Sequence, residues 1–171
     1  MFTAMRAWLT GCLTGLGLLL AAPLDAATTS TFQVTAQIVA GCLVVGGVTS
    51  YGTLDFGTQS ALSTGILSTS LGGTTVTFQC TPGVAMSMSL DGGQNSASGT
   101  RNLKRTGGTQ VLAYQLYQDA AYSQALGIGQ SVTVSYTDAT AIKLPVYGRT
   151  QLPGTLPAGT YTDVVQVSVT W

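Results

Sequence analysis

The chain has 171 residues and almost no charge: Lys and Arg number six, acidic residues number six, histidine is absent, and 45% of the residues are hydrophobic. A neutral surface argues against nucleic acid, which needs a positive patch, and it gives little colloidal repulsion, which favours association. Without His the chain builds no Ser-His-Asp or Cys-His centre, and it lacks the commonest zinc ligand.

Residues 1–26 read as a secretion signal. Arg6 supplies the positive start, and 8–22 form an apolar run too short to span a bilayer. Cleavage is placed after Ala26, within Ala21-Ala22-Pro23-Leu24-Asp25-Ala26-Ala27. Cys12 precedes most of the apolar run instead of following it, unlike a lipoprotein cleavage box. No second apolar run follows, so no membrane insertion by a helix is expected. Residues 27–41 come next as an N-terminal arm. Within it Phe32, Val34, Ala36, Ile38 and Ala40 alternate with Thr31, Gln33, Thr35 and Gln37, which predicts an amphipathic strand over 31–40. Periodicity leaves open whether it pairs inside its own domain or elsewhere.

Two cysteines remain beyond the signal, Cys42 and Cys80. An even pair in an exported chain implies a disulfide. Closing a loop of about 39 residues is worth roughly 4 kcal/mol on chain-entropy grounds, less any strain.

Gly46-Gly47, Gly72-Gly73, Asp91-Gly92-Gly93, Gly107-Gly108 and Pro153-Gly154 mark turns or loops. Between such signals, short strands are predicted near 42–48, 52–57, 64–70, 74–80, 84–90, 111–118, 131–136, 142–148 and 160–171. Met86, Met88 and Leu90 alternate with Ser87 and Ser89, and Leu112, Tyr114 and Leu116 with Ala113, Gln115 and Tyr117. No segment keeps a helical period for ten residues. Many short strands at this spacing indicate an all-β sandwich or barrel.

The polar stretch 91–110 is predicted as an extended hairpin loop, with Arg101, Lys104 and Arg105 as its solvated charge cluster. Asp55, Asp91, Asp119 and Asp138 fall at turns or in loops, where carboxylates bond their own backbone, so a two-carboxylate glycosidase site is disfavoured. In the last strand Tyr161, Asp163, Val165, Val167, Val169 and Trp171 share one face; Asp163 either bonds a backbone group at the strand entrance or, as preferred, simply sits where the strand emerges. The sequence stops on that strand. An apolar strand near each end is expected to pair with something.

Several segments, taken in order, resemble the spore coat protein U domain family. They are the alternating strand ending in Gly41-Cys42; Tyr51-Gly52-Thr53-Leu54-Asp55-Phe56-Gly57; Thr77-Phe78-Gln79-Cys80-Thr81-Pro82-Gly83; Leu90-Asp91-Gly92-Gly93; Arg101-Asn102-Leu103; Ala113-Tyr114-Gln115-Leu116-Tyr117-Gln118-Asp119; Val146-Tyr147-Gly148; and Gly159-Thr160-Tyr161-Thr162-Asp163-Val164-Val165. That family includes pilin subunits of archaic (Csu-type) chaperone–usher pili. The resemblance covers nearly the whole mature chain. It implies an incomplete immunoglobulin-like β-sandwich over 42–171, lacking its last strand, with a donor-strand arm before it. A periplasmic pilus chaperone would lend the missing strand. At an outer-membrane usher, the arm of a neighbouring pilin subunit would replace it. Carried onto this chain, the resemblance makes Phe32, Val34, Ala36 and Ile38 the donor side chains. Tyr161, Val165, Val167, Val169 and Trp171 become one wall of the acceptor groove. It further implies a structural, non-enzymatic subunit without cofactor or metal, carried through the periplasm to a cell-surface fimbrium for adhesion and biofilm formation. With no second domain in the sequence, a two-domain tip adhesin is disfavoured. Two other readings stay open: a spore or cyst coat protein with the same domain, and an eight-stranded outer-membrane barrel, for which most predicted strands are short.

Overall fold

The structure, a computed structural model, describes residues 31–46, 50–71 and 76–171. The predicted signal segment and residues 27–30 of the arm lie outside these. Contacts divide the chain into two units, with the boundary between Gln37 and Ile38. Residues 31–40 are exposed throughout and carry no strand. The strand predicted there is therefore absent. Alternation writes an amphipathic face into a segment, but a strand also needs a ladder partner for its backbone groups.

The described part of the second unit is built from β-strands, with no helix. They are β1 (Cys42–Val45), β2 (Ile66–Ser70), β3 (Thr77–Cys80), β4 (Met86–Leu90), β5 (Arg101–Arg105), β6 (Val111–Tyr117), β7 (Val132–Val134), β8 (Tyr147–Gln151), β9 (Tyr161–Thr162) and β10 (Val167–Thr170). Three sheets result, in the orders β1-β3, β10-β4-β7 and β2-β8-β6-β5-β9. Every strand pair is antiparallel. Among the described residues β2 and β9 end the larger sheet, and β7 and β10 end the three-stranded one. This is the open layout of an immunoglobulin-like sandwich and not the closed ring a barrel requires.

The alternation read from the sequence sets what each strand buries. Met86, Met88 and Leu90 of β4 and Leu116 and Tyr114 of β6 enter one core with Phe78, Leu126, Val134 and Ile142. The disulfide joins Cys42 and Cys80, which are direct cross-strand partners at one end of the β1–β3 ladder.

Three further predicted elements differ within this unit, besides the last strand. The loop expected over 91–110 contains β5, hydrogen-bonded to β6 on one side and β9 on the other. Arg101, expected in solvent, is only 4% exposed. Its guanidinium donates to the carbonyls of Asp91 (2.8 Å), Leu126 (2.6 Å), Leu90 (3.1 Å) and Gly127 (3.3 Å). Those four acceptors satisfy the planar fork of donors and let it leave water. Desolvation lowers its pKa, opposed by nearby Tyr114, Asp91 and Asp163. The strand predicted over 142–148 starts only at Tyr147, while Ile142 exchanges two hydrogen bonds with Phe78 as an isolated bridge. Residues 52–57 form no regular strand: only Thr53 makes a bridge, yet Leu54 and Phe56 still pack onto the core.

Candidate functional site

The segment read as one final strand is two, in two sheets. β9 pairs with β5 in the larger sheet, and β10 pairs with β4 in the smaller. The crossing between them is pinned by Asp163. Its Oδ2 accepts the Tyr114 hydroxyl at 2.7 Å, and its Oδ1 accepts both the backbone N–H and the side-chain amide of Asn95 at 3.1 Å. Asp163 is thus a bonded anchor, not a residue merely emerging from the strand. Gly93, at φ +76°, passes so close that a Cβ there would lie 2.1 Å from Asp163 Oδ2. Burial, then the bond to Asp163, pushes the Tyr114 hydroxyl well above the ordinary phenol range. After the crossing, the Gln166 N–H donates to Asp91 Oδ1 at 2.9 Å and the Asp91 N–H to the Gln166 carbonyl at 3.0 Å, which brings the chain alongside β4.

This crossing leaves the apolar face of the last segment beside open space. Val165, Val167 and Val169 pack against the core but stay only half-buried. A cleft of about 650 Å³ is lined by Val165 and Val167 together with 50–54, Leu103, Tyr114, Leu116 and Val146. A second cleft, of about 580 Å³, continues between 54–61 and 152–161 and takes in Tyr161. Leu54, Phe56 and Leu103 line both, so the two abut. Leu54 and Phe56 seat there because β8 carries Gly148: a Cβ at that position would lie 2.4 Å from Leu54 and 3.1 Å from Phe56.

The predicted wall residues divide accordingly. Val165 and Val167 line the first cleft and Tyr161 the second. Val169 packs on the core outside both, and Trp171 is 55% exposed. The predicted donor side chains lie in water, Phe32 at 87% exposure, Val34 at 81% and Ile38 at 95%, with Ala36 also exposed. Leu54, Phe56, Leu103, Asp163 and Tyr114 complete the groove without having been assigned to it from the sequence. Leu54 and Phe56 belong to the 51–57 motif, which signalled them by resemblance only.

Asp163 and Asp91 are engaged as described, and the other described Asp side chains serve their own loops. Asp55 accepts the Gly57 N–H at 2.8 Å and Asp138 the Thr140 N–H at 2.8 Å. Hydrogen bonds from Thr140 hold the Asp138 carboxyl below its usual range. Among the described residues no three His, Cys, Asp or Glu side chains gather where they could hold a metal ion.

The Spore Coat Protein U domain profile matches residues 28–168. No curated protein matches the chain. Among solved structures it is similar to the CsuC–CsuE chaperone–tip adhesion subunit pre-assembly complex of archaic chaperone–usher Csu pili from Acinetobacter baumannii, at 20% identity and a TM-score of 0.48, over 78% of this chain and 40% of that one. It is also similar to a chaperone–tip adhesin complex of CFA/I fimbriae biogenesis, at 15% identity and a TM-score of 0.46, over 75% of this chain and 41% of that one. The chain therefore spans about two fifths of the length of these structures. The chain belongs to the spore coat protein U domain family.

Proposed function

We infer that this spore coat protein U domain chain is a structural subunit of a surface pilus, assembled by the chaperone–usher pathway through donor-strand exchange. The observation that carries the reading is the half-covered apolar face of Val165 and Val167, at an edge strand beside an open cleft. An amphipathic arm in the same chain, 28–40, supplies the matching element. An added strand would pair its backbone with the edge of β10 and press alternate side chains into the cleft. Phe32, Val34, Ala36 and Ile38 have the period for that. Burying the three larger ones is worth roughly 1.5–3 kcal/mol each, which ordering of the arm then partly offsets.

In this reading residues 1–26 are the signal, 27–41 the donor arm and 42–171 the acceptor domain. The partners are a periplasmic chaperone, which holds the groove during export, an outer-membrane usher, and neighbouring subunits in a homo- or hetero-polymer. The product is a cell-surface fimbrium serving adhesion and biofilm formation, with no catalytic step. The test is co-expression with a cognate chaperone. The full chain is expected as a one-to-one complex that polymerises when the chaperone is displaced. Val34→Asp with Ile38→Asp is expected to abolish polymers and leave the chaperone complex intact. Polymers that persist in this variant remove the arm from its assigned role.

A further inference from the structure

The outer face of the five-stranded sheet carries an aromatic cluster that the groove does not use. Tyr117 on β6 and Tyr147 on β8 are cross-strand partners, and Gln115 and Arg149 form the next row on the same face. β2 extends both rows, placing Ser70 opposite Tyr147 and Ser68 opposite Arg149. Tyr122, from the loop after β6, folds against them. Its ring lies 5.4 Å from that of Tyr117 at 90° and 6.4 Å from that of Tyr147 at 85°. The Arg149 guanidinium sits 5.4 Å from the Tyr122 ring centre, a cation–π contact.

Two features mark the cluster as a prepared surface. Tyr122 has φ +57°, a left-handed conformation that bulky side chains rarely adopt, and it belongs to no part of the core. The Asp119 carboxylate fixes that loop by accepting from the Ser123 N–H, the Ser123 hydroxyl at 2.8 Å and the Gln124 N–H at 2.7 Å. Those bonds, led by that from Gln124, hold the Asp119 carboxyl below its usual range, so the clamp is charged at neutral pH. A strained aromatic residue held this way is where function is sought first. Secondly, Arg149 has no carboxylate partner among the described residues. The guanidinium lies over the Tyr122 ring, and its N–H groups make no hydrogen bond or ion pair among the described residues, which leaves them for an anion.

We propose that this face binds an acidic polysaccharide. The rings of Tyr117 and Tyr147 stack on the C–H faces of sugar rings, Tyr122 seats Arg149, which pairs with a uronate carboxylate, and Ser68, Ser70 and the Gln115 side-chain N–H meet hydroxyls, the Gln115 amide oxygen already accepting from the Tyr117 hydroxyl. The three strands β2, β8 and β6 span about 10 Å, which suits a short stretch of saccharide lying across them. A chain with so little charge has little long-range field, so one unpaired cation framed by aromatic rings selects by local geometry. The proposal does not depend on the pilus assignment.

The experiment is retention of the full chain on immobilised polygalacturonate, with immobilised dextran as the neutral comparison. Retention on polygalacturonate is expected to exceed that on dextran. Arg149→Met is expected to weaken it about tenfold, the worth of one strong cation–π and charge contact. Tyr122→Gly keeps the left-handed turn while removing the ring, and is expected to weaken retention similarly. Lys104→Met removes one exposed cation from β5, opposite Val111 at the far end of β6 from Tyr117, and is expected to change nothing. Absence of retention overturns the proposal. So does equal retention on dextran, loss in Lys104→Met equal to that in Arg149→Met, or retention unchanged in both Arg149→Met and Tyr122→Gly.

Discussion

β4 and β10 lie side by side in one sheet with the same alternation of apolar and polar residues, yet they end in different environments. On β4, Met86 and Met88 are 1% exposed and Leu90 is 2% exposed. On β10, Val167 and Val169 remain half-buried. The difference lies in their surroundings. β4 is flanked by β7 and β10 and packs with Phe78, Leu126 and Ile142, whereas β10 ends the sheet, and Val165 and Val167 border a cleft that β4 touches only through Leu90. Period-two patterning therefore tells which face is apolar and is silent on whether that face is covered.

That contrast breaks or sharpens under mutation. The largest effect is expected from Phe78→Ala, at about 3–5 kcal/mol of lost stability, because a packed site keeps most of the cavity it gains. Val167→Ala in the isolated chain is expected to cost under about 1 kcal/mol, since its side chain is already partly in water. Urea denaturation measures both, and comparable losses would show the groove to be as well covered as the core.

The next effect concerns what fixes the closed end. Arg101→Met leaves the carbonyls of Leu90, Asp91, Leu126 and Gly127 short of a donor, at an expected cost of roughly 3 kcal/mol in the same measurement. A near-neutral result would mean that water replaces the guanidinium and that this end is looser than its burial implies.

A smaller effect than that of Arg101 is expected at the crossing itself. Tyr114→Phe removes one bond to Asp163 and is expected to cost about 1 kcal/mol at neutral pH. The sign with pH follows from the raised pKa. The folded state keeps the Tyr114 hydroxyl protonated above its ordinary value of 10.0, so its contribution is complete below pH 10 and falls away as pH rises beyond that. The wild-type chain should lose stability progressively on the alkaline side, and Tyr114→Phe should flatten that loss. Identical slopes in the two proteins would remove Tyr114 as the titrating group.

Much of this was legible from the residues. The alternations in 86–90 and 112–116 gave the inward faces, since a strand turns successive side chains to opposite sides. The even pair of cysteines beyond the predicted signal pointed to the disulfide. The aspartates at turns behave as short carboxylates beside free N–H groups do. β5 was missed because Arg101 and Lys104 look like solvent residues until four carbonyls, two of them 25 and 26 positions further along the chain, are brought to the guanidinium. Asp163 was missed for the same reason, as its partners Asn95 and Tyr114 are 68 and 49 positions away.

The sequence by itself determined that the chain is all-β, which faces of its strands are apolar, and that Cys42 pairs with Cys80. Those follow from local alternation, composition and the two cysteines left beyond the predicted signal. Only the tertiary structure decided that the last segment divides between two sheets at Asp163, that Arg101 is buried, and that the valines after the crossing border a cleft. Each of these depends on groups far apart in the chain meeting in space, and no local pattern records such meetings.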